Sequence, residues 1–430
     1  MLSLTLIAAF TGAAFVSVPA GPVELFAYRV LLLLLLAFWS LAVLFTPTPL
    51  FPAHLRPVQI SLLFLALWVV YAAVNVLPVI DLSAYARHVV LLSMGVLFVF
   101  FVVYFGSTER WLRRLFQIWG GMVVLLLALG AWQAWSGQQL AISIHADATG
   151  PERFTPMGTF SRVNQYAATL ALSAPLFLTL LATTRRFSVL LFAGAVLAGI
   201  LVLVYLTGSR LSLLAMVLQG LLVWALFLSP TRRWTALVLA GLVLVLVQLL
   251  GQPHLVDAMS MALERFSDAF EEILQDRGSG GIRYNLALNG LVFLRDSMGL
   301  GIGAGNFNAY IEEFGRHPTL HAGWEEFTRI TYPHNWWIEL LAEYGLWIFA
   351  GFVVFFVSLT RRVLWLAHRL ADPSQRMIGQ VLSLALLTYP VIALAPGYFL
   401  AFRPQWVLLG LALAFVAAHS RPEVSASSSR

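Results

Sequence analysis

Long apolar runs recur through the whole chain and constrain its fold more than any other feature. Of the 430 residues, 60% are hydrophobic and only 11% are charged. Many runs are about 20 residues long, the length that an α-helix needs to cross the hydrocarbon core of a bilayer. Helices pair every backbone N–H and C=O within the segment, as that core requires. The sequence therefore predicts an all-α polytopic membrane protein with about 12 transmembrane helices.

The predicted helices divide the chain into a long membrane part, a loop domain and a shorter membrane part. The first apolar run ends in Val18-Pro19-Ala20 but has no basic segment before it, so we interpret it as a span and not as a signal peptide. The predicted spans are 3–20, 25–46, 59–78, 88–105, 117–136, 165–183, 188–207, 211–229, 234–251, 335–359, 377–395 and 400–418. Helices 1–9 thus lie within 1–251, the loop domain is 252–334, helices 10–12 lie within 335–418, and 419–430 is a tail.

Arginines in the short loops predict the orientation, because cytoplasmic loops carry an excess of basic residues. One alternating set of loops carries most of the arginines, and the other set carries few. We predict that the first set and both termini are cytoplasmic, so that the long segments 137–164 and 252–334 face outward. The arginines of the first set are Arg110, Arg113, Arg114, Arg185, Arg186, Arg232, Arg233, Arg361, Arg362, Arg369 and Arg376.

The loop domain 252–334 is predicted to be helical. Residues 256–274 have the apolar spacing of an amphipathic helix, and the Gly-Ser-Gly-Gly run at 278–281 is predicted to break it. A second helix is predicted over 282–297, ended by the glycine-rich run 299–305. We interpret that run as a backbone turn and not as a dinucleotide-binding loop, because no strand precedes it.

The start of the tenth span carries a candidate general base. Pro333 suits the first turn of a helix, which would place His334 in that turn at the positive end of the helix dipole. Such a site favours neutral imidazole, the form that accepts a proton. Asn335, Glu339 and Glu343 recur every fourth residue and would share one helix face. The carboxylates would either orient the site or bind polar groups inside the bundle.

Three arginines are predicted on the same outward side. Arg162 lies where the first long loop re-enters the membrane, Arg210 lies in a short turn between two spans, and Arg283 opens a loop helix next to Tyr284. Each guanidinium could bind a phosphate through two hydrogen bonds. The alternative is that these arginines anchor helix ends among lipid headgroups. Their grouping on the side that basic residues usually avoid favours a phosphate site.

Composition narrows the cofactors and partners. The chain has no cysteine, and His317 and His321, at helical spacing, supply only two ligands, so we predict no metal and no cofactor. The net charge of +6 is explained by arginines flanking membrane helices, and nucleic acid is not a predicted partner. An outward site is cut off from cytoplasmic nucleotides. The expected substrate is therefore an activated donor carried by a membrane lipid.

Four motifs in order resemble one protein family. They are Phe-Ser-Arg-Val-Asn-Gln at 160–165, Thr-Gly-Ser-Arg at 207–210, Arg283 before the glycine run 301–305, and Pro-His-Asn at 333–335 leading into 339–346. Over 160–346 the chain resembles the O-antigen ligase and polymerase superfamily of bacterial envelope glycosyltransferases, and it looks most like the ligase.

This resemblance implies a GT-C-type fold and a metal-independent, inverting transfer. The donor would be O-antigen on undecaprenyl pyrophosphate, and the acceptor a hydroxyl of lipid A–core at the outer face of a bacterial inner membrane. His334 would be the base, Arg210 and Arg283 would hold the pyrophosphate, and Arg162 would position the donor. Tyr284, Asn335, Glu339 and Glu343 would support them.

Three alternatives to a ligase stay open. An O-antigen polymerase and a protein O-oligosaccharyltransferase share the motifs and belong to the same superfamily. A transporter or flippase would need polar residues in the middle of several spans or matched broken helices. Here the ionisable residues cluster at the outer ends of spans, which favours an enzyme.

Overall fold

The computed structural model describes residues 1–12, 17–20, 23–46, 49, 51–229, 231, 233–234, 278–314, 333–397 and 400–420. The described chain is mostly helical, and its helices pack around one large apolar core. The predicted span 234–251 falls almost entirely outside the described residues. The predicted helix 256–274 and the pair His317 and His321 lie wholly outside them.

The element order places a small hairpin near the start of a helical bundle. Short 3₁₀ turns cover Ala53–Val58 and Pro151–Phe154, and a π-helical turn covers Val223–Phe227. The elements are α1 Leu2–Thr11, β1 Ser17–Ala20, β2 Val23–Phe26, α2 Ala27–Phe45, α3 Gln59–Val74, α4 Leu82–Gly106, α5 Glu109–Ser136, α6 Val163–Thr183, α7 Phe187–Leu206, α8 Arg210–Leu222, α9 Gly278–Asp296, α10 Phe307–Phe314, α11 Trp336–Arg369, α12 Pro373–Ile392 and α13 Arg403–His419.

Eight of these helices are long and apolar enough to cross a membrane, which confirms a polytopic helical membrane protein. The helices α12 and α13 match the predicted spans 377–395 and 400–418, but they are not among the eight. The eight are Ala27–Phe45, Ala53–Val74, Leu82–Gly106, Glu109–Ser136, Val163–Thr183, Phe187–Leu206, Arg210–Phe227 and Trp336–Arg369.

The first predicted span, 3–20, is wrong. Helix α1 has 10 residues and ends before Gly12, which has a φ of 57°. A helix of that length rises only about 15 Å, half of the hydrocarbon thickness. The chain then forms an antiparallel hairpin in which Val18 pairs with Leu25. Hydropathy alone missed this hairpin because apolar residues suit strands as well as helices.

Two predictions about the loop domain have different outcomes. The second loop helix, predicted over 282–297, is confirmed as α9, Gly278–Asp296. Residues 278–281, predicted as a break after the helix 256–274, are themselves helical and belong to α9; the residues before 278, where the preceding helix would end, lie outside the described part of the chain. Glycine costs about 1 kcal/mol per residue in a helix interior, and packing of α9 against α11 offsets that preference. In this packing Gly290 of α9 lies against Ile338 of α11.

Helix α11 is broken at Gly345, which has φ 77° and ψ 178°. The sequence had predicted an uninterrupted span. The break leaves backbone groups of α11 without partners inside the helix, and the glycine-rich run 299–305 forms hydrogen bonds with them. The N–H of Ile302 donates to the carbonyl of Ala342 at 2.9 Å, and the N–H of Leu346 donates to the carbonyl of Gly299 at 2.9 Å. The predicted backbone turn is confirmed, and it holds a short helical segment, 336–344, in place. This segment lies at the end of the bundle where α6, α8 and α11 begin, which we call the mouth of the bundle.

The glycine-rich turn is also held from the α3–α4 side. The hydroxyl of Tyr71 donates to the carbonyl of Leu300 at 2.6 Å. The side-chain oxygen of Asn306 accepts from the N–H groups of Ile80 at 2.9 Å and Asp81 at 2.8 Å. Bonds from two directions fix the turn against α11. The mouth of the bundle is therefore a rigid platform.

Replacing Gly301 by alanine is expected to destabilise the protein by about 1–3 kcal/mol. Gly301 has a φ of 84°, and a Cβ there would stand 2.5 Å from the backbone nitrogen of Gly345. Thermal unfolding in detergent measures the effect. The control is Gly194→Ala in α7, where no described heavy atom lies within 4 Å of an added Cβ. An unchanged melting temperature for Gly301→Ala would contradict the close approach of the two backbones.

Candidate functional site

The mouth of the bundle is set by the N-cap of α11. The side-chain oxygen of Asn335 accepts from the N–H of Trp337 at 3.0 Å and of Ile338 at 3.3 Å. Asparagine is among the best N-cap residues, so the helix begins after it. Pro333 and His334 therefore precede the helix, and the prediction that His334 lies in its first turn is wrong. His334 instead has a φ of 48°, which is uncommon for a residue other than glycine.

The imidazole of His334 is held between the loop after α12 and two arginines. A Cβ added to Gly397 would stand 2.8 Å from its Cε1 atom, so that glycine lets the ring lie against the backbone. Its Nδ1 atom is buried and has no hydrogen-bond partner among the described residues. Burial first, then the charges of Arg283 and Arg162, lower the pKa of His334 to about 4. The ring is therefore neutral at pH 7.

The structure brings the three predicted arginines to this same mouth. Arg283 and Arg162 both act electrostatically on His334, and Arg210 acts on Arg283. One terminal nitrogen of Arg283 donates to the carbonyl of Leu394 at 3.3 Å, which orients the guanidinium. Burial and the neighbouring Arg210 lower the pKa of Arg283, although guanidinium stays charged in proteins. The result is a half-buried cluster of positive charge beside a neutral imidazole.

Helix direction explains why these residues meet. Arg162 is the N-cap residue of α6, Arg210 is the first residue of α8, and Arg283 lies near the start of α9. His334 lies just before α11. Helices that leave from one side of the bundle present their N-terminal ends there. Such ends carry partial positive charge and unpaired N–H groups, so the mouth suits an anionic ligand.

The two glutamates of α11 are buried and face different partners. Both side chains are 2% exposed. The carboxylate of Glu343 accepts from the N–H of Gly305 at 2.8 Å and of Phe307 at 3.4 Å, so it stabilises the glycine-rich turn and the start of α10. Glu339 interacts electrostatically with Tyr389 of α12. Two roles were predicted for these carboxylates, orienting the site or binding polar groups inside the bundle. The geometry of Glu343 agrees with the second role.

Tyr284 differs from the other predicted residues. Its side chain is 49% exposed, next to Arg283 on α9. That position leaves the phenol accessible from outside the bundle. A supporting role for Tyr284 stays a prediction.

Sequence reasoning missed the segment between α12 and α13. Its backbone holds two parts of the candidate site in place. The carbonyl of Leu394 accepts a hydrogen bond from Arg283, and the carbonyl of Ala393 accepts one from the N–H of Trp336 at 3.1 Å. Gly397 lies against His334. The only available signal was the Ala395-Pro396-Gly397 sequence, which is typical of a turn. Nothing in it indicated that this turn reaches α9 and α11.

A metal would need ligands that the mouth does not show. In the described ranges, no three His, Asp or Glu side chains come together as a ligand set. The metal independence implied by the resemblance stays a prediction.

Comparison with known proteins agrees with the motifs. Residues 195–356 match the model of the family described as O-antigen ligase. The chain is also 25% identical, over 410 residues, to the teichuronic acid biosynthesis protein TuaE of Bacillus subtilis (strain 168). That alignment covers 95% of this chain and 82% of the relative. The family match contains Arg210, Arg283 and His334, and it begins at residue 195, after Arg162. The resemblance predicted from the sequence motifs is confirmed.

Proposed function

We propose that this multi-pass membrane protein, similar to O-antigen ligases over its central part, transfers a glycan from a lipid pyrophosphate to a sugar hydroxyl. The observation that carries the proposal is the mouth where a neutral histidine lies beside three arginines. A pyrophosphate needs several cations, and an attacking hydroxyl needs a base. The two comparisons support a glycosyltransferase of polysaccharide biosynthesis.

The proposed reaction is a single displacement at the anomeric carbon. Arg210 and Arg283 bind the diphosphate, and Arg162 positions the donor. The acceptor oxygen forms the new bond to the anomeric carbon while the bond from that carbon to the phosphate oxygen breaks. His334 takes the proton of the acceptor hydroxyl. The electron pair of the broken bond leaves with undecaprenyl pyrophosphate, whose charge the arginines stabilise. One displacement inverts the anomeric configuration, and no nucleotide is consumed.

The donor we propose is O-antigen on undecaprenyl pyrophosphate, and the acceptor is a hydroxyl of lipid A–core. This makes the chain an O-antigen ligase of lipopolysaccharide biosynthesis in a bacterial inner membrane. The name of the Bacillus subtilis relative refers to a different polymer, teichuronic acid. Because that name does not refer to lipopolysaccharide, we keep as a second candidate a polymerase whose acceptor is another lipid-linked glycan. Protein O-oligosaccharyltransferase remains the third member of the superfamily to test.

The break in α11 bears on the transporter alternative. Broken helices in transporters expose backbone groups to a substrate cavity. Here the carbonyls of Ala342 and Glu343 instead accept hydrogen bonds from the glycine-rich turn at 2.9 and 3.1 Å. The break is filled by protein backbone, so it supports a fixed platform more than a moving gate.

Reconstitution with two acceptors tests the proposed function. Purified protein in liposomes receives lipid-linked O-antigen together with either lipid A–core or a second lipid-linked repeat. A ligase joins the glycan to lipid A–core. Elongation of the lipid-linked repeat alone would identify a polymerase. Flux of labelled lipid across the bilayer with no glycosidic product would overturn the enzyme assignment.

Cysteine labelling tests the proposed orientation, with the site on the periplasmic side and both termini in the cytoplasm. The chain has no native cysteine, so one substitution gives a unique label. Gln138→Cys, just after α5, is expected to react with an impermeant maleimide in intact spheroplasts. Arg185→Cys, between α6 and α7, is expected to react only after lysis. The opposite pattern would reverse the orientation.

A further inference from the structure

A second candidate site lies at the end of the bundle opposite His334. An apolar groove of about 400 Å³ runs between α5, α6, α7 and α12. We call it the leaflet groove. It opens at the end of the bundle where α5 begins, whereas the site described above lies on the side where α5 ends. Its walls include Phe116, Gly120, Gly121, Val124, Leu176 and Ile378.

Two adjacent glycines make the groove concave. A Cβ added to Gly121 would have no described heavy atom within 4 Å, and one added to Gly120 would first meet Leu176 at 3.6 Å. Any larger side chain at these positions would project into the groove. Phe192 of α7, half exposed, forms the facing rim. This surface is therefore recessed between the helices, as an acyl chain would require, and is not a flat lipid-facing surface.

The groove ends in a cluster of positive charge. Arg113 and Gln117 line the groove and also line an adjoining cavity of about 530 Å³, together with Arg110 and Arg114. Arg113 is 3.3 Å from the carboxylate of Glu109 and 3.8 Å from that of Asp372.

The remaining charged groups at this end leave a positive balance. Arg376 donates to the backbone carbonyls of Leu370 and Ala371, and His419 interacts with both carboxylates. Arg114 lies over the ring of Trp111 at 5.3 Å. Four arginines face two carboxylates, and within the described part of the chain the ion pairs of these carboxylates are made by Arg113 and not by Arg110 or Arg114.

The length of the groove matches one leaflet. Arg113 and Val124 are eleven positions apart on α5, which corresponds to about 16 Å of helix. The hydrocarbon core is about 30 Å thick, so the groove extends from headgroup level to near the bilayer centre. A ligand that fills it has an anionic head and an apolar chain of leaflet length.

We propose that the leaflet groove binds an anionic glycerophospholipid of the leaflet opposite the glycosyl-transfer site. Its phosphate lies at Arg110 and Arg114, and one acyl chain lies along Gly120 and Gly121. This site is separate from the donor site and does not depend on the proposed function. It gives the bundle a lipid contact that joins α5 and α6 to α12.

Native mass spectrometry of the full chain tests the proposal by lipid retention. Protein is incubated with equal phosphatidylglycerol and phosphatidylcholine, and retention of each is followed during delipidation. Each arginine near a membrane surface favours an anionic lipid about fivefold. The double variant Arg110→Gln and Arg114→Gln is therefore expected to lose a roughly 30-fold preference for phosphatidylglycerol. The control is Arg185→Gln with Arg186→Gln, on the same membrane side, which is expected to keep it.

A second pair of variants tests the groove itself. Gly121→Leu fills the recess and is expected to reduce retention of both lipids. Gly194→Leu, at an open position of α7 that does not line the groove, is expected to retain them. Equal losses in the test and control variants would show ordinary annular lipid and overturn the proposal. Displacement of phosphatidylglycerol by an equal concentration of a polyprenyl phosphate would also overturn it, and would assign the groove to the carrier lipid.

Discussion

Alanine at Arg283 or Arg210 is expected to lower glycan transfer by about 100-fold or more, while the protein still inserts and folds. Removing one donor that stabilises developing charge typically costs about 10²–10³ in rate. Arg283 is oriented by the carbonyl of Leu394 and lies close enough to Arg210 to lower its own pKa. Each guanidinium can form two hydrogen bonds with phosphate oxygens, so two neighbouring arginines suit a diphosphate. Transfer rates in liposomes measure the effect.

Lysine at the same positions separates charge from geometry. Lysine keeps the charge but loses the planar fork that binds two oxygens, so we expect only partial recovery. Arg153→Ala is the matched control, because Arg153 lies on the same side in the first outer loop, stacked at 4.6 Å on Phe154. It should keep activity within about twofold. Full activity in either alanine variant would remove that arginine from the site, and full activity in a lysine variant would show that charge alone suffices.

The helices and the arginines of the site were predictable from sequence because their signals are local. Apolar runs of membrane length gave the spans, and Arg162 and Arg210 lie next to span ends that hydropathy locates. The unusual short helix α1 was missed because its apolar residues continue into a hairpin that hydropathy does not distinguish.

The parts of the site that were not predictable depend on contacts between distant segments. Gly345 sits inside an apolar run, where an isolated glycine is compatible with a helix. Its positive φ is fixed by the backbone of Gly299 and Leu300 in the glycine-rich turn. In the same way, the pairing of Arg283 with Leu394 joins α9 to the loop after α12. No pattern within either segment encodes that contact.

The sequence placed His334 wrongly in the first turn of the helix but predicted its neutral state correctly. The helix dipole was expected to keep the imidazole neutral, but the ring lies before the N-cap Asn335. Burial is the larger cause of its lowered pKa, and Arg283 and Arg162 add to it. The predicted neutral state is therefore reached through a different physical cause.

Substituting His334 is expected to reduce transfer by about 10²–10⁴-fold, the usual range for general-base assistance. His334→Ala removes the base, while donor binding, held by the arginines, should persist. His334→Gln can still bond the acceptor hydroxyl but cannot take its proton, so it should fail as well. If Glu339 or Glu343 were the base, His334→Gln would stay active and the corresponding Gln variant would be inactive. Because Glu343 also holds the glycine-rich turn, its variant requires a melting temperature beside the rate.

The pH dependence of transfer tests the same residue through its environment. With a pKa of about 4 in the free protein, His334 stays neutral as pH falls through 6.5 and gains a proton only near pH 4. The acid limb of kcat/KM, which reports the free enzyme, should therefore lie near pH 4. A bound diphosphate offsets the charges of Arg283 and Arg162, so the pKa of His334 rises in the complex. The acid limb of kcat should then lie at higher pH than that of kcat/KM.

Removing one arginine should shift these limbs in a defined direction. Arg162→Gln takes away a positive charge that lowers the pKa of His334, so the limb of kcat/KM should move to higher pH. Residual activity of His334→Gln should lack the limb, which identifies the imidazole as its source. Melting temperatures across the same pH range control for unfolding. An acid limb that persists unchanged in His334→Gln would show that His334 is not the proton acceptor.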